Sequence, residues 1–227
     1  MLKKISYIVI VLIILVVASF LYLKNASNNA KNEQFVFTRI YENHLWGDGS
    51  GPGSVPANAE PYLQILQEYI DSPKIHTIVD LGCGDWRLME KIKFPESKTY
   101  NGFDLVNSLI ESHKIKYQKP NIHFHHIDNI KDFANQKGDL LIVKDVIQHW
   151  PNEQIQYLIQ NILPNFKYAF ITNDYSNHRA NFDINLGDHR PIDLEAEPFY
   201  LQKNIKVLLD YSAHDSSFKR IYLLSTK

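Results

Sequence analysis

Asp80, Gly82 and Gly84 stand at alternate positions, and a second acid, Asp104, follows twenty residues after Gly84. The run Thr77-Ile78-Val79 leads into the first acid. It reads as a buried parallel strand entering a tight turn, with a helix starting near Trp86 and occupying Arg87 to Ile92. Glycine in such a turn admits positive φ and lets a ligand approach the backbone. Asp104 closes a second apolar segment, Tyr100 to Val106. A carboxylate there can accept from both hydroxyls of a vicinal diol, which is how nucleotide-binding sheets hold ribose. Its other reading is the N-cap of the helix through His113. The third glycine of a dinucleotide fingerprint would fall at position 87, which is Arg87, so the pattern is Asp-x-Gly-x-Gly.

A second constellation is Lys144-Asp145-Val146-Ile147-Gln148-His149-Trp150-Pro151, and a third acid, Asp174, ends the apolar segment Lys167 to Asp174. In open α/β sheets ligands bind beyond the carboxyl ends of the strands, so Lys144, Asp145 and His149 belong near a ligand. An imidazole with an ordinary pKa near ~6.5 suits a general base, and a histidine that only fixes the loop is the alternative. Cys83, the single cysteine, sits inside the glycine turn and reads as a small packing residue. Among His123, His125 and His126, only the first two share a strand face, and two imidazoles are too few for zinc. No metal is expected.

The elements that must position these residues follow from the pattern. Ala57 to Ile70 has apolar residues at helical spacing and ends at Asp71-Ser72-Pro73. Asn121 to Asp128 and Gly138 to Val146 read as the third and fourth strands, and an amphipathic helix starts at Asn152. Lys206 to Ala213 and Lys219 to Thr226 are separated by a hairpin-length link and should run antiparallel. The polar connection from Ser176 to Phe199 is long for a link at a ligand edge. Its Arg179 and Arg190 could grip an anionic acceptor or pair with nearby acids.

Ahead of these elements, residues 1–4 are a short basic start, and Ile5 to Leu23 carries no charge. At ~1.5 Å per residue that run approaches the ~30 Å hydrocarbon thickness, so residues 5–23 are expected to form a transmembrane anchor. A cleaved signal peptide is the rival. Residues 24–34 read as a polar linker and 35–227 as the folded domain. In the octet Gly47-Asp48-Gly49-Ser50-Gly51-Pro52-Gly53-Ser54, composition alone favours a flexible spacer. Trp46 beside it and Pro52 within it argue for a loop folding back over the site. A net charge of −1 gives no basic excess to hold nucleic acid.

Together, Asp80-Leu81-Gly82-Cys83-Gly84, the acid at 104, Asp145-Val146-Ile147-Gln148-His149-Trp150-Pro151 and the terminal hairpin resemble the class I S-adenosylmethionine-dependent methyltransferases. The resemblance covers Ile75 to Lys227. It implies an α/β, Rossmann-like, seven-stranded and mostly parallel sheet ending in an antiparallel hairpin, here preceded by one transmembrane helix. The implied cofactor is S-adenosylmethionine, contacted by Asp80, Gly82, Cys83, Gly84, Asp104, Asp128 and Asp145, with Asp128 at the adenine amino group. His149, Asp145 and Asp174 are the candidate catalytic residues. The expected acceptor is a small molecule, lipid or glycan in preference to nucleic acid, with the catalytic domain facing the cytosol, where the methyl donor is made. A nicotinamide-dependent oxidoreductase and a non-catalytic membrane-tethered cofactor-binding module are the alternatives.

Overall fold

A computed structural model describes the backbone of residues 2–177, 180–202, 204–213 and 217–226, and the side chains among these from 12 onward except 25–27 and 29–31. Seven strands form one sheet: β1 (Thr77–Leu81), β2 (Thr99–Asp104), β3 (Ile122–His126), β4 (Gly138–Lys144), β5 (Phe166–Asp174), β6 (Ile205–Ser212) and β7 (Phe218–Ser225). Their order is β3-β2-β1-β4-β5-β7-β6. The first five are parallel, while β7 runs antiparallel to both β5 and β6. The order reverses direction between β1 and β4, and such a switch point opens a crevice beyond the strand ends.

Alternation along the strands divides the core. Val79, Leu81, Leu141, Val143, Ala169 and Ile171 pack on one face with α4 (Asn152–Tyr157) and the last turns of α1 (Leu2–Glu42). Ile78, Leu140, Ile142, Phe170 and Ile221 pack on the other with α2 (Glu60–Asp71). The remaining helix, α3 (Asn107–Lys116), follows β2 and anchors through buried Ile110 and His113. A fully buried Leu or Ile contributes about 1.5–3 kcal/mol, so these two layers hold the strand ends in fixed register.

Several expectations change here. The expected helix over Arg87–Ile92 is a single 3₁₀ turn, Met89–Lys91. Trp86 takes φ 61°, which a bulky residue adopts only when its surroundings hold it there. Its ring is held by Tyr117, Phe124 and Tyr100, at centroid distances of 4.7, 5.2 and 5.8 Å. Burial of that indole overrides helix propagation.

The stretch 24–34, read as a linker, continues α1 without a break. No glycine or proline occurs before Gly47, so nothing interrupts the helix. It stops with the bonds Leu45 N→Ile40 O and His44 N→Tyr41 O, with His44 left-handed at φ 51°, a Schellman end. Among the described residues, no helix is long and apolar enough to cross a membrane. The expected span at 5–23 lies in part on residues 1–11, whose side chains are outside the described ones.

Candidate functional site

The crevice at the strand ends is a cleft partly open to solvent; together with the solvent at its mouth it spans about 940 Å³. Its walls include Asp80, Gly82, Cys83, Gly84, Asp104 and Asp145 from the sheet, and Phe37, Tyr41, Trp46, Ser50 and Ser54 from the N-terminal segment. Of the seven expected binding residues, these six converge. The seventh, Asp128, lies outside the lining, with its side chain 66% exposed. Ile127 and Ile130, on either side of it in sequence, are the ones that line the cleft.

Asp104 Oδ2 accepts from the Gly84 amide at 2.9 Å, and Oδ1 accepts from the Val106 amide at 2.9 Å. An ionised carboxylate has about four acceptor positions, so two amides leave room for a diol. The helix N-cap is Val106, without a side-chain cap, so Asp104 is tied to the glycine turn instead. Behind the turn, His113 Nε2 lies 2.7 Å from the Gly84 carbonyl oxygen. Burial raises the Asp104 carboxyl above its ordinary range, opposed by the Val106 and Gly84 amides. Asp80 is more strongly affected. Burial lifts it to about 7, against the pull of the Tyr100 hydroxyl, which donates to its Oδ2 at 2.7 Å. Burial likewise pushes the Cys83 thiol up, which suits packing and not nucleophilic attack.

The glycine-rich octet 47–54 crosses this cleft as a strap. Ser50 and Asp85 exchange two bonds, Ser50 N→Asp85 Oδ2 and Asp85 N→Ser50 Oγ, both 2.8 Å. Tyr41 Oη meets Ser50 Oγ at 2.6 Å, and Arg87 braces Asp85 through Nε at 2.8 Å. Gly84 has φ +56°, and a side-chain carbon there would collide with Ser50 Oγ. At the far end, Lys144 Nζ donates to the Gly53 carbonyl at 2.8 Å, and a side-chain carbon at Gly53 would collide with Asp145 Oδ2. The glycines let the strap lie directly on the binding turn.

Beyond the strap runs a chain of ion-paired side chains, centred on buried Lys219 and ending at half-exposed His189. Asp145 Oδ2 meets Lys144 Nζ at 2.5 Å and its Oδ1 meets Lys219 Nζ at 3.0 Å. Lys219 also binds Asp174 Oδ1 at 2.6 Å, and Asp174 Oδ2 meets His189 Nε2 at 2.8 Å. Neighbours on a strand point to opposite faces, but Asp145 takes φ 55° just beyond β4, which brings its carboxylate back beside Lys144. Burial would raise Asp145, yet Lys144 and Lys219 bring it down to about 2. Asp174 is lowered too: burial opposes this, and the His189 bond and Lys219 prevail. Both carboxylates stay ionised and are poor proton acceptors.

His149, the third catalytic candidate, lines the cleft against Trp46, with ring centroids 4.5 Å apart. Its Nδ1 lies 2.9 Å from the Asp188 carbonyl oxygen, so Nδ1 carries the proton and Nε2 the lone pair. Only a long 3.4 Å contact from the Gln148 amide engages Nε2. Burial, with His189 nearby, lowers this imidazole to about 4, so it is neutral at physiological pH.

Arg190 does not face an acceptor. It is buried, donating to the Trp150 carbonyl and to Asn152 Oδ1, both at 2.7 Å, and it secures the long connection. Arg179 lies outside the described residues. His125 stacks on Phe103 and His126 binds the Leu105 carbonyl. Among the described residues no group of three or more metal-ligating side chains is assembled.

Sequence reasoning missed Tyr62, Lys219 and His189. The only signal for Lys219 is the antiparallel register of β5 with β7, which sets it opposite Asp174.

The sheet order and the cleft at its switch point decide the architecture. The fold is that of the class I methyltransferases. NodS, an N-methyltransferase from Bradyrhizobium japonicum solved with S-adenosylhomocysteine, matches with TM-score 0.59 at 14% identity, over 84% of this chain and 98% of that one. An S-adenosylmethionine-dependent methyltransferase from Anabaena variabilis matches at 0.55 and 14%, over 86% and 95%. The N-terminal domain of EvdMO1, solved with S-adenosylhomocysteine and D-fucose, matches at 0.54 and 12%, over 75% and 83%. No family model and no curated protein matches the chain. The methyltransferase sheet differs from the nicotinamide-binding order, 3-2-1-4-5-6, in the strand inserted between β5 and β6.

Proposed function

We propose that the protein is an S-adenosylmethionine-dependent methyltransferase, anchored to a membrane by its N-terminal helix and acting on a small molecule, lipid or glycan. The observation that carries the cofactor assignment is Asp104. Its carboxylate is bound to the Gly84 amide, lines the cleft and keeps acceptor capacity for a ribose diol. Ile127 and Ile130 give the adenine end an apolar wall, and Asp80 offers a carboxylate to the amino-acid end.

S-adenosylmethionine supplies a methyl group activated by its sulfonium charge. The chain orients the reactants and excludes water, and alignment of this kind provides most of the acceleration in such a displacement. The strap and Trp46 close the cleft. His149 Nε2, neutral and lowered to about 4, is a weak base that serves chiefly as a hydrogen-bond acceptor orienting the methyl acceptor. Asp145 and Asp174 hold Lys144 and Lys219 in place and so position the wall beside the methyl group.

Titration of the detergent-solubilised full chain with S-adenosylhomocysteine tests this reading. Micromolar binding is expected, with at least tenfold weaker binding in Asp104→Ala, since bonds to a charged group carry about 1.5–3 kcal/mol. Binding of NADH alone would overturn the reading. Binding of the cofactor with no methylation of any cell extract would favour the non-catalytic module.

The anchor rests on a different feature. Leu12 to Val17 and Phe20 to Leu23 are each 50–70% exposed, and Ile5 to Leu23 holds no charge. Lys3, Lys4 and Lys24 flank the run. Such a surface has no partner in the described fold and matches hydrocarbon. Retention of the full chain in membranes after alkaline carbonate extraction is expected, and release into the supernatant would discard the anchor. The catalytic domain is assigned to the cytosolic side because the methyl donor is a cytosolic metabolite.

A further inference from the structure

The His149 imidazole, lowered to about 4, is too weak a base to take up a proton at neutral pH. A second imidazole stands beside it. The His189 ring centroid lies 5.5 Å from that of His149, which is buried and lines the cleft, whereas the His189 side chain is 49% exposed. His189 is thus the outer of the two, on the side open to solvent.

Its surroundings fix its orientation. His189 Nε2 meets Asp174 Oδ2 at 2.8 Å, and Lys219 Nζ holds Asp174 Oδ1 at 2.6 Å. Gln148 ties down the backbone of both partners. Its Oε1 accepts from the Asp174 amide at 2.7 Å, and its carbonyl accepts from the Arg190 amide at 3.1 Å. On the other flank of His189, the Asp188 carbonyl accepts from His149 Nδ1. Asp174 stays ionised, so Nε2 carries the proton and Nδ1 of the neutral ring keeps its lone pair. Nδ1 has no hydrogen-bond partner among the described residues. A carboxylate that orients an imidazole and stabilises its cation is the arrangement general-base catalysis uses.

We propose that His189, oriented by Asp174, is the general base that removes the proton of a neutral hydroxyl on the acceptor, directly or through one water. The assignment rests on the methyltransferase reading and deepens it by naming the group that is methylated. The acceptor oxygen forms its bond to the methyl carbon, and the carbon–sulfur bond breaks with its electron pair left on sulfur. The hydroxyl proton passes to His189 Nδ1. The positive charge lost at sulfur reappears on an imidazolium that faces Asp174. An amine attacks through its own lone pair and needs no base at that moment; a hydroxyl does. Lys144 and Lys219 offset Asp145 and Asp174 along this wall, so no net charge there selects an ionic acceptor.

The test follows transfer of tritium from methyl-labelled S-adenosylmethionine into a lipid and glycan extract of cell membranes, catalysed by the full chain. It is run between pH 5.5 and 8.5 at saturating methyl donor, so that titration of Asp80 at about 7 does not enter through affinity. His189→Gln keeps a donor for Asp174 and has no basic nitrogen. Its turnover at pH 7.5 should fall at least hundredfold, with affinity for S-adenosylhomocysteine within twofold of the parent. The parent rate should rise with pH, and this rise should vanish in the variant. Of the groups facing His189, Asp174 and the Asp145 behind it are lowered, Lys219 is raised and His149 lies at about 4, so none of them titrates in that range. His189→Ala should regain at least tenfold activity on addition of free imidazole, a rescue that a purely structural role does not produce. An unchanged rate in His189→Gln would overturn the base. So would a loss of rate matched by an equal loss of S-adenosylhomocysteine affinity, or label found only on amines. Cofactor binding without any labelling would withdraw the base together with catalysis, whereas a parent chain that binds no cofactor fails the methyltransferase reading itself.

Discussion

Lys219→Met should lower the Tm at pH 7 by about 10 °C. The side chain is 3% exposed and bridges Asp145 and Asp174 at 3.0 and 2.6 Å. Removing it strands two ionised carboxylates that are only 13% and 15% exposed. Breaking a buried ion pair from one side costs about 3–5 kcal/mol, and at this chain length each kcal/mol moves Tm by about 2–4 °C. Burial alone would lower the Lys219 ammonium, but Asp145 and Asp174 hold it well above its usual range, so it is charged throughout the working pH range. The loss should shrink in acid, where the stranded carboxylates take up protons. It should also be partly recovered in Lys219→Met with Asp145→Asn, because coupled residues are not additive. Thermal unfolding at pH 7 and pH 4.5 checks both. An unchanged Tm at pH 7 would mean that the charges are solvated in solution and the chain of ion pairs is not structural.

Asp80→Asn should separate stability from binding. In the unfolded chain this carboxyl titrates near 3.8, and in the folded protein burial lifts it to about 7. A group raised on folding contributes its stability below the unfolded value and loses it as the pH climbs through the folded one. Between pH 4 and 7 the folded state thus sheds up to about 4 kcal/mol relative to a neutral side chain. Asparagine keeps an oxygen for the Tyr100 hydroxyl and carries no charge. Tm at pH 8 should rise by several degrees, while affinity for S-adenosylhomocysteine falls about tenfold or more through loss of a charged acceptor. In the parent chain the same affinity should weaken as the pH drops from 8 to 6, and in Asp80→Asn this dependence should flatten. A variant that is both less stable and fully competent to bind would contradict the account.

Most of the sheet was legible because strands announce themselves twice, by an apolar run and by the acid or turn that ends it. Asp80, Asp104 and Asp174 each close a segment of that kind, and each sits at or beside a strand end. The glycine turn was read correctly, but the helix after it was not. Arg87 to Ile92 has ordinary helix formers, and nothing in those six residues says that Trp86 will be captured by aromatic side chains from β2, α3 and β3. The charge chain was legible only in part. Asp145 and Asp174 are at strand ends, whereas Lys219 arrives from β7 and His189 from an irregular connection whose path follows no periodicity. Tyr62 reads as one more apolar position on α2, and only the fold brings it to the cleft. The strap was the reverse case. Its composition suggests a spacer, and the glycines are there because Gly49 and Gly53 lie against the carboxylates of Asp85 and Asp145, which leave no space for a side chain.

The position of β7 bears on how the protein is made. Its residues, 218–225, follow β6 in the chain, yet they insert between β5 and β6 and carry Lys219 to Asp145 and Asp174. Until β7 has been synthesised, β5 has an open edge, β6 has no neighbour and two acids at the cleft lack their cation. Completion of the cleft must therefore wait for β7 to emerge and insert. Loss of residues 218–225 would damage the methyl-donor end of the cleft while leaving the glycine turn, some 140 residues upstream, unaltered in sequence.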